Sequence, residues 1–295
     1  MAEFLKCNAD FEFSFSACAI GTQGPDIFFF HRLFNRFKAK SKVGSALHRA
    51  KPSDILDAFS DYCKFSPNID IAKSYMYGFI LHYALDRKCH PFVYSFQEKI
   101  SAKNTKIHPS AIHNRIEMAM DSYLLGKRLG ISVPSDFDSA KTLTSDIEIT
   151  EEISHLLSFV IPRVSTYSIS EKEVGEAIRD TRLMQKLLRD KSGLLKSFLR
   201  IAETLLAPMI GHFKFSSMIK PKDLEKAKKY GNINNRGWRP INSDKLCYDS
   251  FEDLFETAKT EAELMIMSFD KLCLGYLSGY EITNNISFLN GTEVI

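Results

Sequence analysis

The sequence predicts an all-α protein built as a bundle of many helices. Apolar residues recur at spacings of three and four in most of the long segments, whereas strand signals are sparse. The chain has 295 residues, of which 44% are hydrophobic and 25% are charged, a composition typical of one large globular domain or two small ones. We expect residues 1–285 to form a single all-α domain and residues 286–295 to form a C-terminal tail.

Cap and stop signals bound the helices of the first half. The pair Ser66-Pro67 predicts the start of a long helix. This helix should end at His90, because the residue before Pro91 is biased away from helical geometry. Residues 92–108 then form a connection. A second helix is expected over residues 109–129, since it starts with a proline and is followed by a glycine.

The second half of the chain is also helical. Ser170 and Glu173 predict a capping box at the start of one helix. In the Lys-rich segment 214–239, Asn and Gly residues predict a loop, and Trp238 is interpreted as a packing anchor. The lysines of this segment either face solvent or form a surface for anionic lipid. Amphipathic helices are predicted over residues 148–160, 168–189, 193–206 and 251–277.

Two of the predicted helices carry a column of histidine and acid. His82, Asp86 and His90 are spaced by four, and residues four apart lie above one another on a helix face. Such groups on an apolar helix are costly unless a partner satisfies them, and imidazole and carboxylate are ordinary zinc ligands. Two such helices favour a metal site between helices over the alternative of solvent-exposed polar faces. The spacing recurs in the second helix, at His113, Glu117 and Asp121.

Two segments before these helices offer further polar candidates. Gly24 and Pro25 predict a rigid turn, which presents Asp26 either as a ligand or base or as a helix N-cap. Residues 32–51 contain seven basic residues and no acid, and His48 lies among them. Such a run is either a solvated face or a loop that meets phosphate.

Charge, cysteine content and hydropathy argue against a nucleic-acid-binding, a disulfide-rich and a membrane-spanning protein. The net charge of +3 gives no reason to expect a polyanionic partner, so nucleic acid is not the expected ligand. The six scattered cysteines, without a CxxC pair, are typical of reduced thiols rather than of a disulfide framework. No apolar run reaches the roughly 18 residues needed for a transmembrane segment, and the N-terminal residues do not form a signal peptide of the usual kind. We therefore expect a cytoplasmic protein, unless the N-terminus as given is incomplete.

Four of the elements described above, taken in chain order, resemble those of the zinc-dependent phospholipases C, bacterial enzymes that include phosphatidylcholine-cleaving toxins. A weaker similarity to uncharacterised cytosolic members lies in NNRGWRPINSDKLCYDSFEDLFETA. The resemblance implies a multi-helix fold of the type shared with the single-strand nucleases, with zinc ions held in a cleft. The four elements are the GPD of Gly24–Asp26, His48, the HxxxDxxxH of His82–His90 and the HxxxE of His113–Glu117.

The resemblance also implies which residues hold zinc. One ion would take Asp26, His48, His82 and Asp86, and a second would take His90, His113 and Glu117. In the family, a third ion uses the N-terminal residue and a nearby histidine, with Asp86 here as the bridging aspartate. The first 30 residues of this chain contain no histidine. We therefore expect two zinc ions, and a third site only if a group such as Asp10 substitutes.

The expected reaction is hydrolysis of a phosphodiester, because zinc ions acidify a bound water and neutralise charge on phosphoryl oxygens. Asp26 would also be the catalytic base that orients the attacking water, and Asp121 would accept a hydrogen bond from a ligand imidazole. The resemblance favours a phospholipid substrate, cleaved to diacylglycerol and a phosphorylated head group, with peripheral contact to a membrane surface. The alternatives are a phosphodiesterase like the single-strand nucleases and a non-catalytic helical protein with a structural zinc.

Overall fold

The computed structural model describes residues 5, 9–33, 40–205, 214–241 and 243–294, with Lys226 described by its backbone alone. Within these residues the structure is all-α, which confirms the predicted fold class, and extended pairing consists of two isolated bridges. Short 3-10 helices cover Gly24–Phe28, Pro134–Asp136, Ser139–Thr142 and Phe215–Met218. The α-helices are α1 (Phe15–Gly21), α2 (Ser41–Leu47), α3 (Pro52–Cys63), α4 (Ile69–Lys103), α5 (Pro109–Leu129), α6 (Ile147–Val164), α7 (Glu171–Leu187), α8 (Leu194–Leu205), α9 (Leu224–Lys228), α10 (Phe251–Cys273) and α11 (Gly279–Thr283).

The chain divides into two compact units, each of which is described by itself. The helices α4, α7 and α10 each contain residues of both units. The expectation of a single domain over residues 1–285 stays a prediction. Unit one consists of Met1–Lys88, Ala140–Met184 and Phe255–Ile295, and unit two of Cys89–Ser139 and Gln185–Leu254.

The core of unit one surrounds the first part of α4. Helix α1 crosses α4 at Gly21 and Gly78, where a Cβ on either glycine would lie 2.1 Å from a backbone oxygen of the other helix. Only glycine at both positions permits this approach. Phe288, from the segment predicted as a C-terminal tail, is also buried in this core. The core residues that α4 contributes include Tyr75, Met76, Phe79, Ile80 and Tyr83.

Helix α4 continues through Pro91 to Lys103, so the prediction that it ends at His90 is wrong. Proline inside a helix removes one backbone donor and clashes with a preceding carbonyl, at a cost of roughly 3 kcal/mol. Phe92 and Val93 follow directly and are fully buried. Burying two such side chains contributes about 1.5–3 kcal/mol each, which offsets the cost of the proline.

Other helix boundaries agree with the sequence more closely. Helix α5 covers the predicted residues and ends at Gly130, which has the left-handed φ of +66° that glycine tolerates. The capping box of α7 is confirmed, since the Ser170 amide donates to Glu173 Oε2 and the Glu173 amide donates to Ser170 Oγ. Helix α4 begins later than predicted because the side chain of Asn68, not Ser66, accepts from its first turn.

The core of unit two forms where α5 packs against α9 and the 3-10 helix Phe215–Met218. Trp238 is buried, its ring meets Phe92 edge-on at 5.3 Å, and its Nε1 donates to the carbonyl of Asp249. Trp238 is therefore the packing anchor that the sequence predicted. The buried side of α5 consists of apolar and small residues, so that the side carrying His113 and Glu117 stays partly exposed.

Candidate metal centres

Unit one brings together Asp26 from the first 3-10 helix, His48 from the end of α2, and His82 and Asp86 from α4. One donor atom from each of Asp26, His48 and His82 lies within 4.8 Å of the others. His48 Nε2 is 3.4 Å from Asp26 Oδ1 and 3.5 Å from Asp86 Oδ2. His82 Nε2 is 3.1 Å from Asp86 Oδ2. This group, named site one, contains the four residues that the resemblance implies for one zinc ion.

Main-chain carbonyls orient both imidazoles of site one. Nδ1 of His48 is 2.8 Å from the carbonyl oxygen of Gly44, and Nδ1 of His82 is 3.2 Å from that of Thr22. Because a carbonyl oxygen only accepts, each neutral ring carries its proton on Nδ1 and directs the Nε2 lone pair toward the carboxylates. Lone pairs and carboxylate oxygens repel each other unless a cation or a proton lies between them. Site one therefore has the donor types and the tautomers that zinc requires.

The glycine of the GPD motif lets the turn approach His82. Gly24 has a φ of +51°, and a Cβ at this position would lie 2.3 Å from Cδ2 of His82. Gly44 plays a related role, since a Cβ there would lie 2.9 Å from the carbonyl oxygen of Pro25. The two glycines thus allow the turn with Asp26 to pack between α2 and α4.

Site one is buried around its histidines and open at Asp26. His48 and His82 are buried, whereas the side chain of Asp26 is 51% exposed. Phe29 stacks on the His48 ring at 5.8 Å, and Phe288 meets that ring edge-on at 5.7 Å. Solvent therefore reaches the site at the carboxylate of Asp26, and aromatic rings shield the imidazole of His48.

Unit two brings together His90 from α4 with His113 and Glu117 from α5, again with donor atoms within 4.8 Å of one another. Glu117 Oε1 lies 2.9 Å from His113 Nε2 and 3.5 Å from His90 Nε2. Nδ1 of His113 is 3.0 Å from Oε1 of Gln97, which leaves the Nε2 lone pair directed at Glu117. This group, named site two, contains the residues implied for the second zinc ion.

The carboxylate of site two is held in its ionised form. Burial raises the pKa of Glu117, but His113 and His90, in their protonated forms, outweigh burial through their charges and hydrogen bonds and hold that pKa at about 2. Zinc would replace those protons and would bind the same ionised carboxylate, since ligand imidazoles are neutral and ligand carboxylates are ionised. The Glu117 side chain is nevertheless 37% exposed. The ring of Tyr94 flanks both imidazoles, with centroids 5.5 Å from His90 and 5.0 Å from His113.

The prediction for Asp121 is wrong. Its Oδ2 lies 3.4 Å from Nζ of Lys220, and the acceptor at His113 is Gln97. Gln97 and Tyr94 lie seven and four residues after His90, which is the same face of α4. This spacing is visible in the sequence, but it has a meaning only if the helix continues past His90, where we predicted its end.

Asp10, the group suggested as a substitute ligand for a third zinc ion, lies apart from both sites. Its Oδ1 lies 3.6 Å from Nζ of Lys73, and its side chain is exposed. Among the described residues, the groups that could hold a metal ion are in site one and site two, and neither contains Asp10. Met1, the N-terminal residue, lies outside the described residues.

The basic segment before site one is described in part, because residues 34–39 lie outside the description. Arg32 pairs with Glu176, and Nζ of Lys40 lies 3.0 Å from Oε1 of Glu173. Two of its cations are therefore held by carboxylates of α7. Contact of the remaining cations with phosphate stays a prediction.

A family model described as zinc dependent phospholipase C matches residues 1–167, a range that includes every residue of sites one and two. No curated protein and no solved structure matches the chain significantly. In the described part of the chain, no helix has the length and hydropathy required to cross a membrane. Because the family match covers more than half of the 295 residues, this protein belongs to the zinc dependent phospholipase C family.

Proposed function

We propose that this protein is a zinc-dependent phosphodiester hydrolase that cleaves a phospholipid to diacylglycerol and a phosphorylated head group, in peripheral contact with a membrane. Family membership supports the zinc dependence and the phospholipase type. The observation that carries the proposal is site one, where two buried imidazoles direct lone pairs at two carboxylates and one carboxylate is open to solvent. We propose one zinc ion for each site, because zinc commonly takes three or four protein ligands.

When bound, zinc stabilises charge on phosphoryl oxygens and lowers the pKa of water to about 7. Asp26 would accept the proton of the attacking water, a role supported by its half-exposed carboxylate, which adjoins His48. His48 and His82 would bind the ion through Nε2, since the Nδ1 of each ring donates to a main-chain carbonyl. Asp86, which adjoins both imidazoles, supplies negative charge that balances a cation.

The substrate class is tested by identifying products. The zinc-loaded protein is incubated with mixed phospholipids in detergent micelles and, separately, with single-stranded DNA at the same phosphodiester concentration. We expect diacylglycerol and phosphorylated head groups by mass spectrometry, and their loss when zinc is chelated. Cleavage of the DNA alone would support a nuclease-like function instead. Tightly held zinc without turnover of either substrate would support a structural zinc.

The role of Asp26 is tested by Asp26→Asn, which keeps the size and one oxygen but removes the basicity. We expect kcat to fall roughly 10²- to 10⁴-fold, the contribution typical of a general base, while zinc content is kept. Asp136→Asn is the matched control, because Asp136 is an exposed aspartate in another 3-10 helix that also contains a proline. A full kcat in Asp26→Asn would contradict the role as base.

A further inference from the structure

Helix α8 in unit two has two of its three charged residues, Lys196 and Glu203, turned toward the protein, whereas Arg200 is exposed. Nζ of Lys196 donates to the carbonyl of Ile219 at 2.8 Å. The buried carboxylate of Glu203 accepts from the amide of Ser216 at 2.8 Å and from its hydroxyl at 2.7 Å. A helix at the surface of a globular protein normally buries its apolar side and exposes its charges. Helix α8 departs from this arrangement, because Glu203 is buried and Lys196 half-buried while large apolar residues of the same helix are exposed.

The outward face of α8 is an apolar stripe. Its members are spaced by four, three and four, which places them on one side of a helix. Single exposed apolar residues are common, but a contiguous row of large ones marks an interaction surface. The stripe consists of Leu194, Phe198, Ile201 and Leu205, whose exposed fractions are 73%, 66%, 63% and 74%.

A cationic cavity opens beside the same helix. Its volume is about 330 Å³, and its walls include Arg115 from α5 with Lys196 and Arg200 from α8. Apolar side chains such as Met118 and Ile219 complete the wall, and none of the described lining residues is an acid. Burial lowers the pKa of Lys196, and the nearby Arg115 and Arg200 lower it further, whereas the negative charge of Asp190 opposes them in part. Three cations around one cavity repel one another, and an anion in the cavity would relieve that repulsion.

We propose that α8 is an interfacial helix that docks on a membrane containing anionic phospholipid, with the stripe in the head-group boundary and a lipid phosphate in the cationic cavity. Interfacial helices combine an apolar face with flanking basic residues in this way. Lipid is the favoured occupant because it satisfies the stripe and the cations together. A second copy of the chain would cover the stripe but would bring no anion to Arg115, Lys196 and Arg200. The inference rests on the proposed function for its purpose, which is to bring the protein to its substrate.

The test is sedimentation of the full chain with vesicles, in the presence of a zinc chelator so that no lipid is hydrolysed. Vesicles of phosphatidylcholine with phosphatidylglycerol are compared with vesicles of phosphatidylcholine alone. We expect stronger binding to the anionic vesicles, and a loss of at least about tenfold in Phe198→Ser/Ile201→Ser, which removes apolar area from the docking face. Leu264→Ser/Leu274→Ser is the matched control, since these unit-one side chains are similarly exposed, and it should bind like the wild type.

The cavity is tested separately by Arg115→Gln/Arg200→Gln. We expect weaker binding to anionic vesicles, a smaller dependence on salt, and unchanged binding to phosphatidylcholine vesicles. Equal binding of the stripe variant and the wild type would overturn the inference. A dimer by light scattering that the stripe variant dissociates, without a change in vesicle binding, would assign the stripe to a second copy and also overturn it.

Turnover of a water-soluble short-chain phospholipid, measured with zinc on every variant, separates this inference from the proposed function. Vesicle binding by a protein that turns over no phosphodiester would contradict the proposed function and support the docking surface. Turnover without binding to anionic vesicles would contradict the docking surface and leave the proposed function intact. Circular dichroism on each variant checks that the helices are formed.

Discussion

Sites one and two use the same ligand types but orient their imidazoles differently. In site one, His48 and His82 donate to main-chain carbonyls. In site two, His113 donates to the side-chain amide of Gln97. A carbonyl in folded main chain is fixed, whereas a glutamine side chain loses rotamer freedom when it is held in one position. Site one is therefore better organised in advance of metal binding.

The number of ligands and their exposure to solvent also favour site one over site two as the tighter zinc site. Site one offers four donors around buried imidazoles, and site two offers three with a 37% exposed Glu117. Fewer ligands and easier access of water favour exchange of the metal. We expect zinc to be held more tightly at site one, the site that contains the proposed base Asp26.

Among the variants that test the comparison of the two sites, Asp86→Ala should give the largest effect on turnover, because this carboxylate adjoins both imidazoles of site one. We expect turnover to fall on the order of 100-fold or more, beyond the roughly 10- to 100-fold typical of losing an outer hydrogen-bond partner. One zinc ion should be lost while helix content by circular dichroism is kept, since Ala is a better helix former than Asp. Glu98→Ala, an exposed acid on the same helix, should change neither. Full zinc content and turnover in Asp86→Ala would refute the assignment.

Gly24→Ala tests the close approach of the turn to His82 in site one. Gly24 and Gly130 both have positive φ, +51° and +66°, but only Gly24 would place a Cβ against another residue. Both alanine variants should lose about 1–2 kcal/mol of unfolding free energy from backbone strain. Only Gly24→Ala should also lose turnover, by about 10- to 100-fold as His82 is displaced. Equal turnover in the two variants would contradict this account of the GPD motif.

Gln97→Ala tests whether the side chain of Gln97 orients the imidazole of His113 in site two. Loss of the acceptor at His113 Nδ1 should weaken zinc binding at site two by about 10- to 100-fold and leave site one unaffected. Competition with a chromophoric chelator measures both affinities. Gln97→Glu keeps an oxygen in this position and should restore binding. An unchanged affinity in Gln97→Ala would show that the amide does not orient His113.

Glu173→Gln should give the smallest effect, which is a modest loss of unfolding free energy. It tests whether the stability of the fold, rather than ligand geometry, sets the affinity for zinc. Burial raises the pKa of Glu173, but Ser170 and Lys40 outweigh it and hold that pKa at about 2, below the ordinary 4.5. The ionised group therefore stabilises the fold above about pH 4.5, and this contribution is lost as the pH falls toward 2. Urea unfolding should show a loss of about 1 kcal/mol at pH 7 that shrinks in acid.

Glu171→Gln, in the same first turn of α7, is the control for Glu173→Gln. Both variants should keep their zinc. Loss of zinc from Glu173→Gln would show that global stability, rather than the ligand geometry of sites one and two, governs metal binding.

The repeated spacing of histidine and acid was sufficient to predict which side chains group together. A period of four is a local property of a helix, so His82 with Asp86, and His113 with Glu117, follow from the sequence alone. The GPD turn was likewise predictable from Gly24 and Pro25, because glycine permits backbone conformations that other residues rarely adopt and proline fixes its own φ.

Contacts that depend on tertiary packing could not be predicted. The carbonyl of Thr22 at His82 and the ring of Phe288 at His48 come from segments far apart in the chain. The course of α4 past Pro91 is of the same kind, since burial of Phe92 decides against the local preference of proline. Because the helix was predicted to end at His90, the position of Gln97 on the same face, and its hydrogen bond with His113, could not be predicted.

Metal analysis after exhaustive dialysis tests the central claim of two separate zinc sites most directly. The proteins to compare are the wild type, His82→Ala and His113→Ala. The account predicts two zinc ions in the wild type and one in each variant, with the ion of His113→Ala exchanging more slowly because it occupies site one. Three ions retained by the wild type would show a missed group of ligands. No retained zinc in the wild type, or loss of all zinc in both variants, would contradict the claim.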